Sequence, residues 1–252
     1  MRRFLALISA AALTAIPITT RAAFMTTVPA SAGAPAVAAY VAKPHGDGRF
    51  PAVVLLHGCD GFNAAGPYLA DRLTARGYVG VAIDALGPGE PDGACTDRTG
   101  AQKEAVAARA TLAWLRTQKY VDPDKLGVVG FSMGGIALLD VIDAASKPPA
   151  GLRVAVAYYP ACQGRDGNIA VPLAIFDGDA DKITPAPPCA AMVQAATAAG
   201  KTAQITTYPD ATHAFNVPGP DRSFFGQPIR FDPTATEDSA KQTAAFLDRY
   251  LK

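Results

Sequence analysis

The sequence predicts one α/β domain: a mostly parallel sheet with helices on both faces. Two observations carry that reading. From about residue 52 onward, short and nearly continuous apolar runs alternate with helix-period stretches, the pattern of strands buried on both faces and joined by crossover helices. The residues with chemistry also gather immediately after those runs: His57-Gly58-Cys59-Asp60-Gly61, Asp84-Ala85-Leu86-Gly87, Ser132, Tyr158-Tyr159-Pro160, Asp177 to Asp181, and His213. In an open parallel sheet, segments that follow the strands emerge on one edge, where ligands bind. At 252 residues, half of them hydrophobic, the chain is long enough to bury one sizeable core.

The elements follow in order. Runs 26–31 and 37–43 flank Ala32-Gly33-Ala34-Pro35 and read as a hairpin, and the alternation of Val37, Ala39 and Val41 suits a strand at the sheet edge. Residues 52–57 form a buried strand, followed by a Gly-rich loop and an amphipathic helix over 67–76. A strand at 79–84 leads into a long loop to about Gly100 and a helix over 101–117. Strand 125–131 runs directly into helix 133–145. Strands at 154–159 and 173–177, a helix at 187–199, a strand at 203–208 and a last helix at 234–251 complete the chain. Right-handed crossovers follow from the parallel order. No linker-like stretch divides residues 24–252, which form one domain.

The N-terminus reads differently. Arg2-Arg3 precedes an apolar stretch at 4–18, too short to span a bilayer, and small residues follow around Thr20-Arg21-Ala22. This is the pattern of a signal peptide over residues 1–23, and it predicts a periplasmic or secreted protein. The four cysteines then belong to an oxidising compartment and predict two disulfides. Cys59–Cys95 and Cys162–Cys189 are the expected pairs, because each joins loops that follow successive strands. The three histidines, at 45, 57 and 213, have no metal-ligand spacing, and no cofactor motif is present. A net charge of +1 gives no reason to expect nucleic acid as a partner. A small molecule is the expected one.

The most informative string is Gly130-Phe131-Ser132-Met133-Gly134, set between a strand and a helix. A Gly-x-Ser-x-Gly in that setting is a nucleophile elbow: the turn exposes the serine hydroxyl, and the flanking glycines leave room for the turn. A serine needs a base, usually a histidine held by a carboxylate. His213 is the one histidine after Ser132. His57 opens the Gly-rich loop and reads as a brace for it. The carboxylate comes from Asp177-Gly178-Asp179-Ala180-Asp181, with Asp181 favoured for its reach toward His213 and Asp179 second. The oxyanion would be held by the N–H groups of Met133 and Cys59, with Asp60 as the alternative to Cys59.

Together, Gly130 to Gly135, Gly178-Asp179-Ala180-Asp181-Lys182-Ile183-Thr184-Pro185 and His213-Ala214-Phe215 resemble the dienelactone hydrolase family of α/β-hydrolases, from about residue 28 to the C-terminus. The resemblance implies the α/β-hydrolase fold. It also implies ester or lactone hydrolysis by a nucleophile–Asp–His triad on Ser132, Asp181 and His213. The type enzymes use a cysteine nucleophile and a loop glutamate that partners the resting thiol; here those positions hold Ser132 and Gly58. The two differences fit each other, because a serine does not need its anionic form held off. The family's carboxylate-binding arginine has no match near Gly87-Pro88, leaving Arg98 as a substitute, so dienelactone itself is not the expected substrate.

Other readings share the site. A peptidase usually adds a recognition domain that this chain has no room for. A lipase usually adds an apolar lid, whereas residues 86–100 are rich in Pro, Gly and Asp; a polyester or lipid esterase without a lid stays compatible. A non-catalytic periplasmic binding protein on a hydrolase scaffold would be favoured by loss of a triad member, and all three residues are present.

Overall fold

The computed structural model describes residues 22–31, 33–87 and 98–252. Its central sheet contains β1 (Ala22–Val28), β2 (Val37–Lys43), β3 (Phe50–Leu56), β4 (Val79–Asp84), β5 (Val121–Phe131), β6 (Leu152–Tyr158), β7 (Leu173–Gly178) and β8 (Ala203–Tyr208). The helices are α1 (Ala65–Thr74), α2 (Thr99–Leu115), α3 (Met133–Ile142), α4 (Ala186–Ala198) and α5 (Pro233–Leu251). The strand order is β1-β2-β4-β3-β5-β6-β7-β8. β2 pairs antiparallel with both β1 and β4, and β4 through β8 run parallel.

Side chains of β3 show why its run is continuously apolar. Ala52, Val54 and Leu56 join the core under α2, α3 and α4, whereas Val53 and Leu55 join the core under α1 and α5. Both faces are covered, so neither can be polar. Burying each such Val or Leu contributes about 1.5–3 kcal/mol.

The chain order creates the crevice. From β3 it steps outward to β4, returns across β3 to β5, and then moves steadily the other way to β8. The connection after β3 leads to α1 on one face, and that after β5 leads to α3 on the other. The two loops diverge at this switch point and leave an opening above the carboxyl ends of β3 and β5.

Three details differ from expectation. The edge strand is β1, not β2: β1 covers the outer side of β2 and carries the exposed Phe24 and Met25. It stops at Val28 and begins at Ala22, which pairs with Lys43. A short antiparallel hairpin, β9 (Arg222–Phe224) and β10 (Gln227–Ile229), lies before α5 in a segment where the sequence reading placed no element. No described helix is long and apolar enough to cross a membrane.

Candidate active site

Ser132 alone spans the passage from β5 to α3, with φ 52° and ψ −112°. That left-handed φ is strained for a residue bearing a Cβ, and the surroundings hold it there. A Cβ at position 130 would run into the Gly134 carbonyl, and one at position 134 would meet the Leu56 carbonyl at 2.5 Å and that of His57 at 2.6 Å. Glycine is therefore required at both positions. The Ser132 amide donates to the Tyr158 carbonyl at 3.0 Å, and the Gly134 amide donates to the His57 carbonyl at 3.0 Å. Met133, next to Ser132, opens α3, so its N–H has no acceptor within the helix.

His213 follows β8 and is almost fully buried. Its Nε2 lies 2.9 Å from Ser132 Oγ and its Nδ1 lies 2.7 Å from Asp181 Oδ2. Asp181 Oδ1 accepts the amides of Ile183 at 2.8 Å and Thr184 at 2.9 Å. Burial alone would push the Asp181 carboxyl up. The His213 hydrogen bond and charge, with those two amides, outweigh burial and hold it below its ordinary value.

Thr184 is the participant that sequence reasoning missed. Its hydroxyl lies 2.9 Å from Asp181 Oδ2, 3.0 Å from His213 Nδ1 and 3.0 Å from the Tyr159 carbonyl. The Tyr159 ring packs 4.7 Å from the His213 ring, and its hydroxyl donates to Asn216 Oδ1 at 2.6 Å. The imidazole is thus fixed edge and face. The string Asp181-x-x-Thr184-Pro185 contained the signal, but a threonine before proline reads first as a turn residue.

The other aspartates of this loop do different work. Asp179 Oδ1 accepts the Asp210 amide at 2.7 Å and so ties the β7 loop to the segment that carries His213. Asp177 is fully buried at the end of β7; its Oδ1 accepts the Gly178 amide, and its Oδ2 has no partner among the described residues. Burial and the charge of Asp181 push its carboxyl up to about 8. The folded protein therefore holds a proton that the unfolded chain releases above the ordinary carboxylate range. Stability should be highest below that range and fall as pH rises toward about 8, by at most ~1.4 kcal/mol per pH unit. Asp177→Asn removes this group's share of the slope. Denaturant unfolding at pH 6 and pH 9 is the measurement, and equal pH dependence in the two proteins would contradict the assignment.

The remaining sequence candidates scatter. His45 is exposed in the turn before β3. His57 Nδ1 lies 2.7 Å from the Gly58 carbonyl, within the loop it was expected to brace. Arg98, at the start of α2, faces Asp140 of α3 at 3.5 Å. The Gly61 amide donates to the Gly58 carbonyl at 3.1 Å, making a turn with Cys59 and Asp60 at its corner. Cys59 is disulfide-bonded, while its expected partner Cys95 lies outside the described residues, as do Pro88 and most of the N-terminal segment read as a signal. Cys162 and Cys189 form a disulfide with S–S 2.03 Å. It ties the loop after β6, which carries Tyr159, to α4 close behind Thr184. Closing this 27-residue separation contributes about 3.5 kcal/mol in the chain-entropy account. Among the described residues, no group of His, Cys, Asp and Glu is arranged to hold a metal ion.

Comparison with known proteins follows the same lines. The model of the dienelactone hydrolase family matches residues 37–251. A Bradyrhizobium protein named "Probable 2-oxo-3-(5-oxofuran-2-ylidene)propanoate lactonase" is 33% identical over 130 residues, which is 48% of this chain and 50% of that relative, so the match spans half the relative's length. An Azospirillum brasilense protein named "Putative carboxymethylenebutenolidase" is 28% identical over 232 residues, covering 84% of this chain and 93% of its own. Among solved structures, one titled "Putative Dienelactone Hydrolase" from Klebsiella pneumoniae superposes with a TM-score of 0.73 at 24% identity, covering 92% of this chain and all of that one. That last likeness is one of fold.

Proposed function

The chain belongs to the dienelactone hydrolase family, and from that premise we propose that it is an exported serine hydrolase cleaving carboxylic esters or lactones of small substrates. The observation that carries the reading is the unbroken chain from Asp181 through His213 to Ser132, 2.7 and 2.9 Å long at its two links. Ser132 Oγ attacks the substrate carbonyl carbon while His213 Nε2 takes its proton. The carbonyl oxygen becomes an oxyanion received by the N–H groups of Met133 and Cys59. As the intermediate collapses, the ester bond breaks and His213 returns the proton to the leaving alkoxide. An acyl-enzyme remains on Ser132. Water, deprotonated by His213, then releases the acid and restores the serine. Asp181 stays ionised and holds the imidazole so that Nε2 is free to accept. With a lactone the leaving alkoxide stays attached to the acyl group.

Relatives named as a lactonase and a carboxymethylenebutenolidase support the substrate class, and the Arg2-Arg3 pair ahead of the apolar stretch 4–18 supports export to an oxidising compartment. A fluorophosphonate probe should label the wild-type protein on a single serine and leave Ser132→Ala unlabelled. Labelling that persists in that variant, or a wild type that resists the probe, would remove the nucleophile from this position.

A further inference from the structure

Glu104 stands in the second turn of α2 among Ala101, Ala105, Ala107 and Ala108, all buried, and is itself 0% exposed. A buried carboxyl is costly there, and a small apolar residue would fill the site as its neighbours do. What Glu104 gains among the described residues is a hydrogen bond: Oε1 accepts the backbone amide of His57 at 2.8 Å. β3 ends at Leu56, so the His57 amide is the first to leave the strand ladder, and unpaired it would carry its own desolvation cost.

That amide sits at a junction. The carbonyl of the same residue accepts the Gly134 amide from the elbow helix. The next residue is packed against the nucleophile: a Cβ on Gly58 would lie 3.8 Å from Ser132 Cβ and from the Phe131 carbonyl. Gly58 then opens the turn whose corner is Cys59 and Asp60. Resting on the reading of Ser132 as the nucleophile, we propose that Glu104 is a positioning residue: by holding the His57 amide from beneath, it sets the distance between the oxyanion loop and Ser132.

The state of the carboxyl fits this role. Burial first, with the charge of Asp60 added, pushes Glu104 well above its ordinary value, while the His57 amide pulls the other way. Burial pushes His57 down, against the opposing influence of the Gly58 carbonyl, Asp60 and Asp84. Both shifts favour the uncharged forms, and a carboxyl so disposed grips the amide through its oxygen with less negative charge behind the place where the oxyanion would form. Glu104 Oε2 and His57 Nε2 have no partner among the described residues, so the His57 amide is the contact that the structure gives this carboxyl beyond the 3.7 Å approach of His57 Nδ1.

Glutamine keeps an oxygen acceptor at the same reach, aspartate keeps the carboxyl but falls one methylene short, and leucine keeps the bulk without the acceptor. Hydrolysis of p-nitrophenyl acetate is measured for Glu104→Gln, Glu104→Asp and Glu104→Leu, with kcat expressed per site titrated by the fluorophosphonate probe and Tm recorded alongside. Glu104→Gln should stay within about threefold of wild type, whereas Glu104→Asp and Glu104→Leu should lose roughly tenfold or more in kcat with KM little changed, because a displaced oxyanion donor acts in the transition state. Aspartate and leucine variants with wild-type kcat per titrated site, even at lowered Tm, would overturn the proposal, as would a glutamine variant that falls as far as leucine. Wild-type hydrolysis that survives Ser132→Ala would overturn the nucleophile reading and this one with it. Ser132-dependent hydrolysis indifferent to all three Glu104 changes would overturn this one alone.

Discussion

Ser132→Ala and His213→Ala should each lower kcat by roughly 10³- to 10⁶-fold, with KM changing far less, and the double variant should be scarcely worse than either single one. The reason lies in the 2.9 Å contact between Ser132 Oγ and His213 Nε2. The hydroxyl is a poor nucleophile without a base, and the base has nothing to activate without the hydroxyl, so removing either removes the same step. Binding survives because the Met133 amide and the loop at Gly58 do not depend on either side chain. Steady-state kinetics on a p-nitrophenyl ester decide the matter. More than about a tenth of the activity in either single variant would sink the assignment, since groups acting as a unit leave no such residue. The imidazole must be neutral to accept the serine proton, so kcat/KM should fall on acidification. A profile flat between about pH 5 and 9 would argue for a different base.

The parallel core and the elbow were legible because each obeys a local rule. β3, β4 up to Asp84 and the 126–131 part of β5 are apolar since helices cover both of their faces, and the glycines around Ser132 leave room for the Gly134 carbonyl on one side and the Leu56 and His57 carbonyls on the other. Chain order alone singled out His213. The features that stayed hidden depend on contacts distant in sequence. Glu104 lies within the helix read at 101–117, and nothing in its neighbourhood announces that its carboxyl reaches the amide just past the end of β3. The β9–β10 hairpin has strands of only three residues, and its turn places Phe225 at φ 49° beside Gly226 at φ 71°. A phenylalanine in a conformation usually given to asparagine or glycine carries no turn signal. β1 read as residues 26–31 instead of Ala22–Val28, since its first two residues fell inside the stretch 1–23 already assigned to export.

Asp181→Asn should lower kcat by about 10³- to 10⁴-fold at neutral pH, a loss comparable with removal of the base itself. The direction follows from the amides around the carboxylate. Oδ1 faces two donors, the N–H groups of Ile183 and Thr184, so an asparagine side chain must keep its carbonyl oxygen there. Its NH₂ then falls where Oδ2 stood, 2.7 Å from His213 Nδ1. A donor at that place favours the tautomer with a bare Nδ1 and a proton on Nε2, which cannot accept from Ser132. In the wild type no such ambiguity arises, because the Asp181 carboxyl is held below its ordinary value and stays an acceptor wherever the imidazole is neutral. Asp179→Asn is the control. Among the described residues its Oδ1 receives the Asp210 amide at 2.7 Å, an amide oxygen can take the same bond, and activity should remain within a few-fold of wild type. kcat for the two variants on one ester, with Tm to show that both are folded, separates the roles. A severe Asp179→Asn beside a mild Asp181→Asn would move the carboxylate's function to Asp179 and break the chain of hydrogen bonds on which the mechanism rests.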